Sequence, residues 1–250
     1  MTSAPAPTGS LLRLRRYIRQ SVLPPSVRYR LLLRKTPDIA FIWIPKTAGS
    51  SLFVWLNTEV GMLKLKEPEK YRAFPGYGAV TFSHCHYLSL REAGFVSDEY
   101  HNRAFRFSVV RNPYLRAVSL YRYLKVHNVQ YERSFVEFLD EVYRARPPVG
   151  LYNVQGLSQC NPQMDWLQGP DGDMVVDHLY RIDDLAQLQS DIAARFGKAR
   201  NPIPRRNTSS SKKSPLELLT EHSEAVPLIR QIYSRDFDVL GFPYDLPEDA

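Results

Sequence analysis

Residues 44–52 read Ile-Pro-Lys-Thr-Ala-Gly-Ser-Ser-Leu, and they join two segments with different hydrophobic patterns. The apolar run 39–44 before them is typical of a buried strand, and residues 52–56 after them open an amphipathic helical pattern. A strand that enters a helix through a Lys, a Gly and three hydroxyls brings backbone N–H groups, a positive helix end and an ammonium together. This arrangement predicts a phosphate-binding loop.

The order of residues in this loop differs from that of the common nucleotide-triphosphate loop. That loop reads G-x-x-x-x-G-K-[ST], with the Lys after the second Gly. Here Lys46 precedes Gly49, and Ser50 and Ser51 follow. We therefore expect a nucleotide phosphate other than that of ATP or GTP. The alternative is an ordinary strand–turn–helix, with Lys46 at the surface and Ser50 as an N-cap.

A second strand–helix step follows further along the chain. Residues 105–110 are rich in β-branched and aromatic types, which favours a strand, and Pro113 suits the first turn of a helix over 113–125. Arg111 then lies at the carboxyl end of a strand, where open α/β sheets bind ligands, and its planar guanidinium can bind two phosphate oxygens. Ser119 lies two turns further along. The alternative is a structural ion pair for Arg111 and a tolerated helix serine.

The chain as a whole alternates between strand and helix patterns, and its 250 residues suffice for one core. The predicted strands are 39–44, 79–83, 105–110 and 174–181, and the predicted helices are 50–59, 113–125, 134–144, 185–196 and 223–233. An irregular stretch, 147–173, and a loop, 198–214, interrupt them. This alternation predicts a single-domain α/β fold with a mostly parallel sheet and helices on both faces.

The two phosphate-binding segments together resemble those of sulfotransferases that use 3′-phosphoadenylyl sulfate (PAPS). Residues 45–51 look like the 5′-phosphosulfate loop, and Arg111 followed eight residues later by Ser119 looks like the 3′-phosphate motif. The likeness is strongest to the carbohydrate sulfotransferases, the group with the chondroitin and uronyl 2-O-sulfotransferases. It continues in a Pro-Gln segment at 161–167, a strand-to-helix step at 180–185, a late loop at 206–209 and a Tyr…Asp…Phe-Gly ending at 232–242.

The resemblance implies a P-loop-NTPase-like fold and transfer of the sulfuryl group of PAPS to a carbohydrate hydroxyl by in-line displacement. It assigns Lys46 to the 5′-phosphate and the leaving oxygen, and Arg111 and Ser119 to the 3′-phosphate. The remaining cofactor-binding residues that it implies are Thr47, Ala48, Gly49, Ser50 and Ser51 around the 5′-phosphate, and Arg206, Asn207, Thr208 and Ser209 over the cofactor. The donor already carries activated sulfur, so we expect no metal.

Two histidines are candidates for the general base. His84 and His86 fall on one face of the continuation of a predicted strand, because side chains alternate along a strand. Imidazole titrates near neutral pH, which suits it to proton transfer. The uronyl 2-O-sulfotransferases have a similar His-x-His, which ranks His86 first and His84 as its helper. The alternatives are structural hydrogen bonds, or metal binding without a third ligand at convincing spacing.

The net charge of the chain is +7, and eight Arg or Lys with no acid lie between residues 11 and 35. We divide the chain into a basic N-terminal arm, 1–37, and a sulfotransferase domain, 38–250. The arm either packs one apolar stripe on the domain or attracts an acidic polysaccharide or an anionic membrane that carries a lipid-linked acceptor. No nucleic-acid fold signature accompanies it, so nucleic acid is not expected as a partner.

Localisation follows from further composition signals. The sequence has no run of eighteen apolar residues, no signal-peptide pattern, and two cysteines, which make no disulfide framework. We expect a cytoplasmic, bacterial protein with peripheral membrane contact, or a segment that begins after a membrane anchor. Two other functions remain open: a non-catalytic binder of acidic glycans on the same fold, and a nucleotide-triphosphate-dependent kinase.

Overall fold

The structure is a computed structural model, and it describes residues 23–62, 87–127, 132–145, 159–198, 201–204 and 213–248. Within these ranges the sheet has three parallel strands in the order β1-β2-β3, with β2 in the centre. They are β1 Ile39–Ile42, β2 Phe105–Val110 and β3 His178–Arg181. Because all three strands run the same way, their carboxyl ends lie at one edge of the sheet, and the loops after β1 and β2 are neighbours there.

The helices in the described ranges surround this sheet. They are α1 Pro25–Leu33, α2 Gly49–Val60, α3 Tyr87–Glu92, α4 Asp98–Arg103, α5 Pro113–His127, α6 Phe135–Ala145, α7 Met164–Leu167, α8 Leu185–Phe196, α9 Pro215–Glu221, α10 Ala225–Ile232 and α11 Ser234–Leu240. None of these helices is both long and apolar enough to cross a lipid bilayer.

Two hydrophobic cores lie on opposite faces of the sheet. Phe105, Phe107 and Val109 of the central strand pack with α2 and α8 on one face. Val110 of the same strand, with Ile42 of β1, packs on the other face, where α5, α6, α10 and α11 contribute. The alternation along β2 follows from the two-residue period of a strand, and burial on both faces explains its near-continuous apolar sequence. The predicted α/β architecture, a parallel sheet with helices on both faces in one domain, is confirmed.

Several predicted elements differ from the observed ones. The predicted helix 223–233 corresponds to α10, but the sequence did not predict the short helices α9 and α11 on either side of it. Ser214 starts the first of them with a reciprocal capping box, in which its side chain accepts from the N–H of Glu217 and its own N–H donates to the Glu217 carboxylate. The predicted strand 174–181 is shorter, since β3 begins at His178 and Met174 forms only an isolated bridge with Gln168. The predicted strand 79–83 lies outside the described residues.

The described part of the basic arm contacts the domain. Helix α1 begins at Pro25, and its Tyr29 and Leu33 pack against the larger core. The Tyr29 ring meets Phe95 edge-on at a centroid distance of 5.9 Å. Residues 1–22 lie outside the described ranges.

Candidate active site

The loop between β1 and α2 has an unusual backbone. Lys46 and Ala48 adopt φ values of 71° and 61°, in the left-handed region that residues other than glycine rarely enter. Such residues turn successive N–H groups towards one side of the chain, which is the geometry of an anion-binding nest. Thr47 between them is fully buried, and its hydroxyl donates to the carbonyl of Ile44 at 3.0 Å. The backbone strain of Lys46 and Ala48 lies in the predicted phosphate loop, where binding of an anion can use it.

The start of α2 offers N–H groups without a side-chain cap. Ala48 is the N-cap, and no side chain accepts there, so the predicted alternative of Ser50 as N-cap is wrong. The first turn of an α-helix has N–H groups without intrahelical partners, and the positive end of the dipole lies there. A Cβ on Gly49 would lie 1.6 Å from Nε1 of Trp43, so the indole covers this position. The loop thus needs glycine there because of packing.

The Lys46 side chain reaches across the loop to α5. Its ammonium lies 4.2 Å from the centroid of the Tyr123 ring, over the ring face. Burial, and secondarily the nearby Arg111 guanidinium, lowers the pKa of Lys46 to about 8. In the described part of the chain no acidic side chain forms a salt bridge with it. A bound anion would offset both effects, since it supplies the missing opposite charge.

Arg111 lies beside the same loop. Its Nη1 donates to the carbonyl of Lys46 at 3.4 Å, and its Nε is buried without a partner among the described residues. Burial first, then the charges of Arg116 and Arg122, lowers the pKa of Arg111 to about 10. Two cations predicted separately from sequence therefore meet at the carboxyl edge of the sheet.

A buried network holds Arg111 at the end of β2. The side chain of Gln163 accepts from the N–H of Arg111 at 2.9 Å and donates to its carbonyl at 2.8 Å. Asp236 in turn accepts from the N–H groups of Gln163, at 2.8 Å, and Met164, at 3.0 Å. Gln163 and Asp236 are both fully buried. Burial raises the pKa of Asp236, while Arg116 and the N–H donors act in the opposite direction.

Arg116 is buried next to the phosphate loop and holds its backbone in place. It is only 1% exposed, and its Nε donates to the carbonyl of Pro45 at 3.1 Å while Nη2 donates to that of Gln159 at 2.7 Å. Arg116, Ser119 and Tyr123 lie three and four residues apart on α5, so they share one face of that helix. Since Arg116 and Tyr123 both contact the loop, the half-buried Ser119 lies on the face that meets it.

Two anchors flank the predicted cofactor-covering residues Arg206–Ser209, which lie outside the described residues. On one side, the indole N–H of Trp55 in α2 donates to the carbonyl of Asn201 at 2.7 Å. On the other, Arg122 of α5 donates to the carbonyls of Lys213 and Ser214 at 2.7 and 3.1 Å. The two flanks are thus attached to the two helices that carry the phosphate loop and Ser119.

The predicted bases His84 and His86 also lie outside the described residues, so their role stays a prediction. Among the described histidines, His101 is held between Tyr87, at 3.1 Å, and Arg106, at 2.7 Å. Arg106 is the second residue of β2, about 16 Å along the strand from Arg111. His101 therefore belongs to the opposite edge of the sheet. Within the described ranges, no cluster of three or more His, Cys, Asp or Glu could hold a metal ion.

This geometry agrees with the comparison to known families. The chain matches the model of the sulfotransferase family over residues 29–164, more than half of its 250 residues. The matched span contains the phosphate loop, Arg111 and Ser119. No curated protein and no solved structure matches the chain significantly. The chain belongs to the sulfotransferase family, and the reaction class is transfer of a sulfuryl group.

Sequence reasoning missed two residues that shape this site, Arg116 and Tyr123. Both lie on the predicted helix 113–125, but a basic residue on a helix is normally exposed, and its sequence neighbours do not reveal a buried partner. The spacing of residues 116, 119 and 123 was the sequence signal that could have identified them, because residues three and four apart lie on one face of a helix. It places both residues on the same face as Ser119, which the 3′-phosphate motif had already singled out.

Proposed function

We propose that the chain is a PAPS-dependent O-sulfotransferase that acts on a carbohydrate hydroxyl. The observation that carries the proposal is the meeting of Lys46 and Arg111 at one edge of the sheet, beside an uncapped helix start. The donor PAPS has phosphates on both the 3′ and 5′ sides of its ribose. Two neighbouring cationic groups on separate strand ends suit such a ligand better than a single phosphate.

The charge balance of the site supports a ligand with several negative charges. Lys46 lies in the loop, Arg111 follows β2, and Arg116 and Arg122 lie on α5. The pKa values of Lys46, Arg111 and Arg122 are lowered mainly by burial. Asp236 is the buried acid that faces this group among the described residues. A bisphosphate nucleotide would neutralise the excess positive charge, and each charge-assisted hydrogen bond to it would contribute about 1.5–3 kcal/mol.

In the proposed mechanism, each group has a separate task. The loop from Thr47 to Ser51 holds the 5′-phosphate with N–H and hydroxyl donors, and Lys46 neutralises the charge that develops on the leaving oxygen. Arg111 and Ser119 bind the 3′-phosphate. His86, with His84 as helper, takes the proton of the acceptor hydroxyl, which then attacks sulfur in line with the leaving phosphate. Arg206–Ser209 cover the cofactor.

The carbohydrate acceptor rests on the resemblance of the motifs to carbohydrate sulfotransferases. A basic N-terminal arm suits an acidic polysaccharide, or an acceptor at an anionic membrane, because eight cations without an acid attract negative surfaces. The acceptor itself is best found by incubating the protein with labelled PAPS and an extract of its source cells. The labelled product then identifies the hydroxyl.

Transfer of radiolabelled sulfate from PAPS tests the proposed roles. Lys46→Ala, Arg111→Ala and His86→Ala should each lower transfer by about 10²–10³-fold, by analogy with removal of single charge-stabilising donors. Lys125→Ala, a change of an exposed lysine on α5, serves as the control and should leave transfer unchanged. Undiminished transfer in all three site variants would refute the roles. Stabilisation by ATP–Mg²⁺ but not by adenosine 3′,5′-bisphosphate would favour a kinase instead.

A further inference from the structure

Tyr123 stands out because it contacts the proposed catalytic lysine directly, and no motif points to it. The ammonium of Lys46 lies over its ring face at 4.2 Å from the centroid. The attraction between a cation and an aromatic face is about 0.5–2 kcal/mol, and it is larger when the cation is removed from water. Lys46 is half-buried, so the contact falls in the stronger part of that range.

The surroundings of Lys46 explain why such a contact is needed. The group faces Arg111 from the end of β2 and Tyr123 from α5, while Arg116 and Arg122 of α5 act on Arg111 in turn. Among the described residues these neighbours are cationic or neutral. A long side chain with four rotatable bonds would therefore favour solvent, where its ammonium is hydrated and away from Arg111. The aromatic face offsets this tendency without adding a negative charge that would repel a phosphate.

We infer that Tyr123 is a positioning residue that holds the Lys46 ammonium at the phosphate loop before the anionic nucleotide binds. The inference rests on the proposed function for the identity of the nucleotide, but the contact itself does not. The helix that carries the ring is held at the loop independently of Lys46, because Arg116, seven residues earlier on the same face of α5, donates to the carbonyl of Pro45 at 3.1 Å. The Lys46 side chain is then already in its binding conformation when the nucleotide arrives.

The test uses Tyr123→Leu, which removes the aromatic face and keeps a large apolar side chain, and Tyr123→Phe, which keeps the face. Trace acetylation of the whole protein between pH 7 and 9, followed by peptide mass spectrometry, measures how fast each lysine reacts and therefore how much of it is unprotonated. Lys125 on the same helix, over the ring of Tyr121 at 5.4 Å, is the internal reference.

Loss of the ring should destabilise the charged form of Lys46. At pH 7 the Leu variant should therefore acetylate at Lys46 about two- to eight-fold faster than the wild type, because loss of the cation–π attraction lowers a pKa that starts near 8 and so raises the unprotonated fraction. The Phe variant should match the wild type, and Lys125 should react equally in all three proteins. An unchanged or slower reaction of Lys46 in the Leu variant would overturn the inference. A changed rate at Lys125 would also overturn it, because the effect would then be a general loosening of α5.

Adenosine 3′,5′-bisphosphate separates this inference from the proposed function. Added to the wild type, it should protect Lys46 from acetylation, and in the Leu variant its association should be slower while Lys46 is still protected at saturation. If the bisphosphate protects Lys46 but Tyr123→Leu reacts as the wild type does, the positioning role is refuted and the function stands. If the bisphosphate neither binds nor protects the wild type, the proposed function fails even where the ring effect is present.

Discussion

Replacement of Asp236 by Asn should weaken both the fold and the nucleotide site. One carboxylate oxygen of Asp236 accepts from the N–H of Gln163 at 2.8 Å and from its side-chain amide at 3.3 Å, and the other accepts from the N–H of Met164 at 3.0 Å. An asparagine keeps one acceptor oxygen and turns an NH₂ group towards the donors on the other side. At least one donor then loses its partner inside the core.

The size of the effect follows from burial and charge. A hydrogen bond to a charged acceptor contributes about 1.5–3 kcal/mol, and removal of one partner from a buried charged pair costs about 3–5 kcal/mol. Asp236 is fully buried and faces Arg116, so we expect the free energy of unfolding to fall by about 3–5 kcal/mol. With a denaturant slope of about 2 kcal/mol per M, the urea midpoint should fall by about 1.5–2.5 M.

Urea denaturation followed by tryptophan fluorescence measures this change, and calorimetric titration with adenosine 3′,5′-bisphosphate measures its effect on the site. Asp238→Asn is the matched control, because Asp238 lies two residues away, is exposed and accepts one bond from Tyr244 at 2.8 Å. It should change stability by less than about 0.5 kcal/mol. A wild-type midpoint for Asp236→Asn would show that the carboxyl is already neutral, and the reasoning about a charged acceptor would be wrong.

Three further predictions concern the phosphate loop and helix α9. Gly49→Ala should cost about 1–3 kcal/mol in thermal unfolding and weaken nucleotide binding, because Trp43 must move to admit the methyl group; unchanged unfolding would contradict the packing argument. Binding of adenosine 3′,5′-bisphosphate should weaken as pH rises through about 8, since Lys46 loses its positive charge there, and Lys46→Met should lack this dependence in titrations between pH 7 and 9; a pH-independent wild type would count against the role of Lys46. Ser214→Ala should lower stability by about 0.5–2 kcal/mol through loss of the capping box with Glu217, and an unchanged denaturation midpoint would show that the box contributes nothing.

The sequence was sufficient for features that depend on local chemistry. The strand–turn–helix of β1 and α2 could be predicted because a β-type run, a Lys, a Gly and hydroxyls are adjacent in the chain. The position of Arg111 could be predicted because residues 105–110 carry a strong strand pattern and the next residue must leave the strand. The fold class followed from the alternation of such units.

The remaining features depend on partners that are distant in sequence. Arg116 is buried because two carbonyls 71 and 43 residues away, those of Pro45 and Gln159, accept its hydrogen bonds, and no local pattern encodes that meeting. Helix α9 is a different case, because its start could have been predicted from local sequence. Ser214 and Glu217 have the spacing of a capping box, and they lie at the end of the predicted loop 198–214. Lys46 was predicted as a phosphate ligand, but its contact with Tyr123 needs two strand–helix units to be placed side by side.

The most direct test of the account compares two nucleotides that differ by one phosphate. Isothermal titration of the wild type, Lys46→Met and Arg111→Met with adenosine 3′,5′-bisphosphate and with adenosine 5′-monophosphate separates the contributions at the two ends of the ligand. We expect the wild type to prefer the bisphosphate, Arg111→Met to lose that preference, and Lys46→Met to weaken both nucleotides by a similar factor. Equal affinity of the wild type for the two nucleotides, or an Arg111→Met protein that still prefers the bisphosphate, would contradict the assignment of the two phosphates.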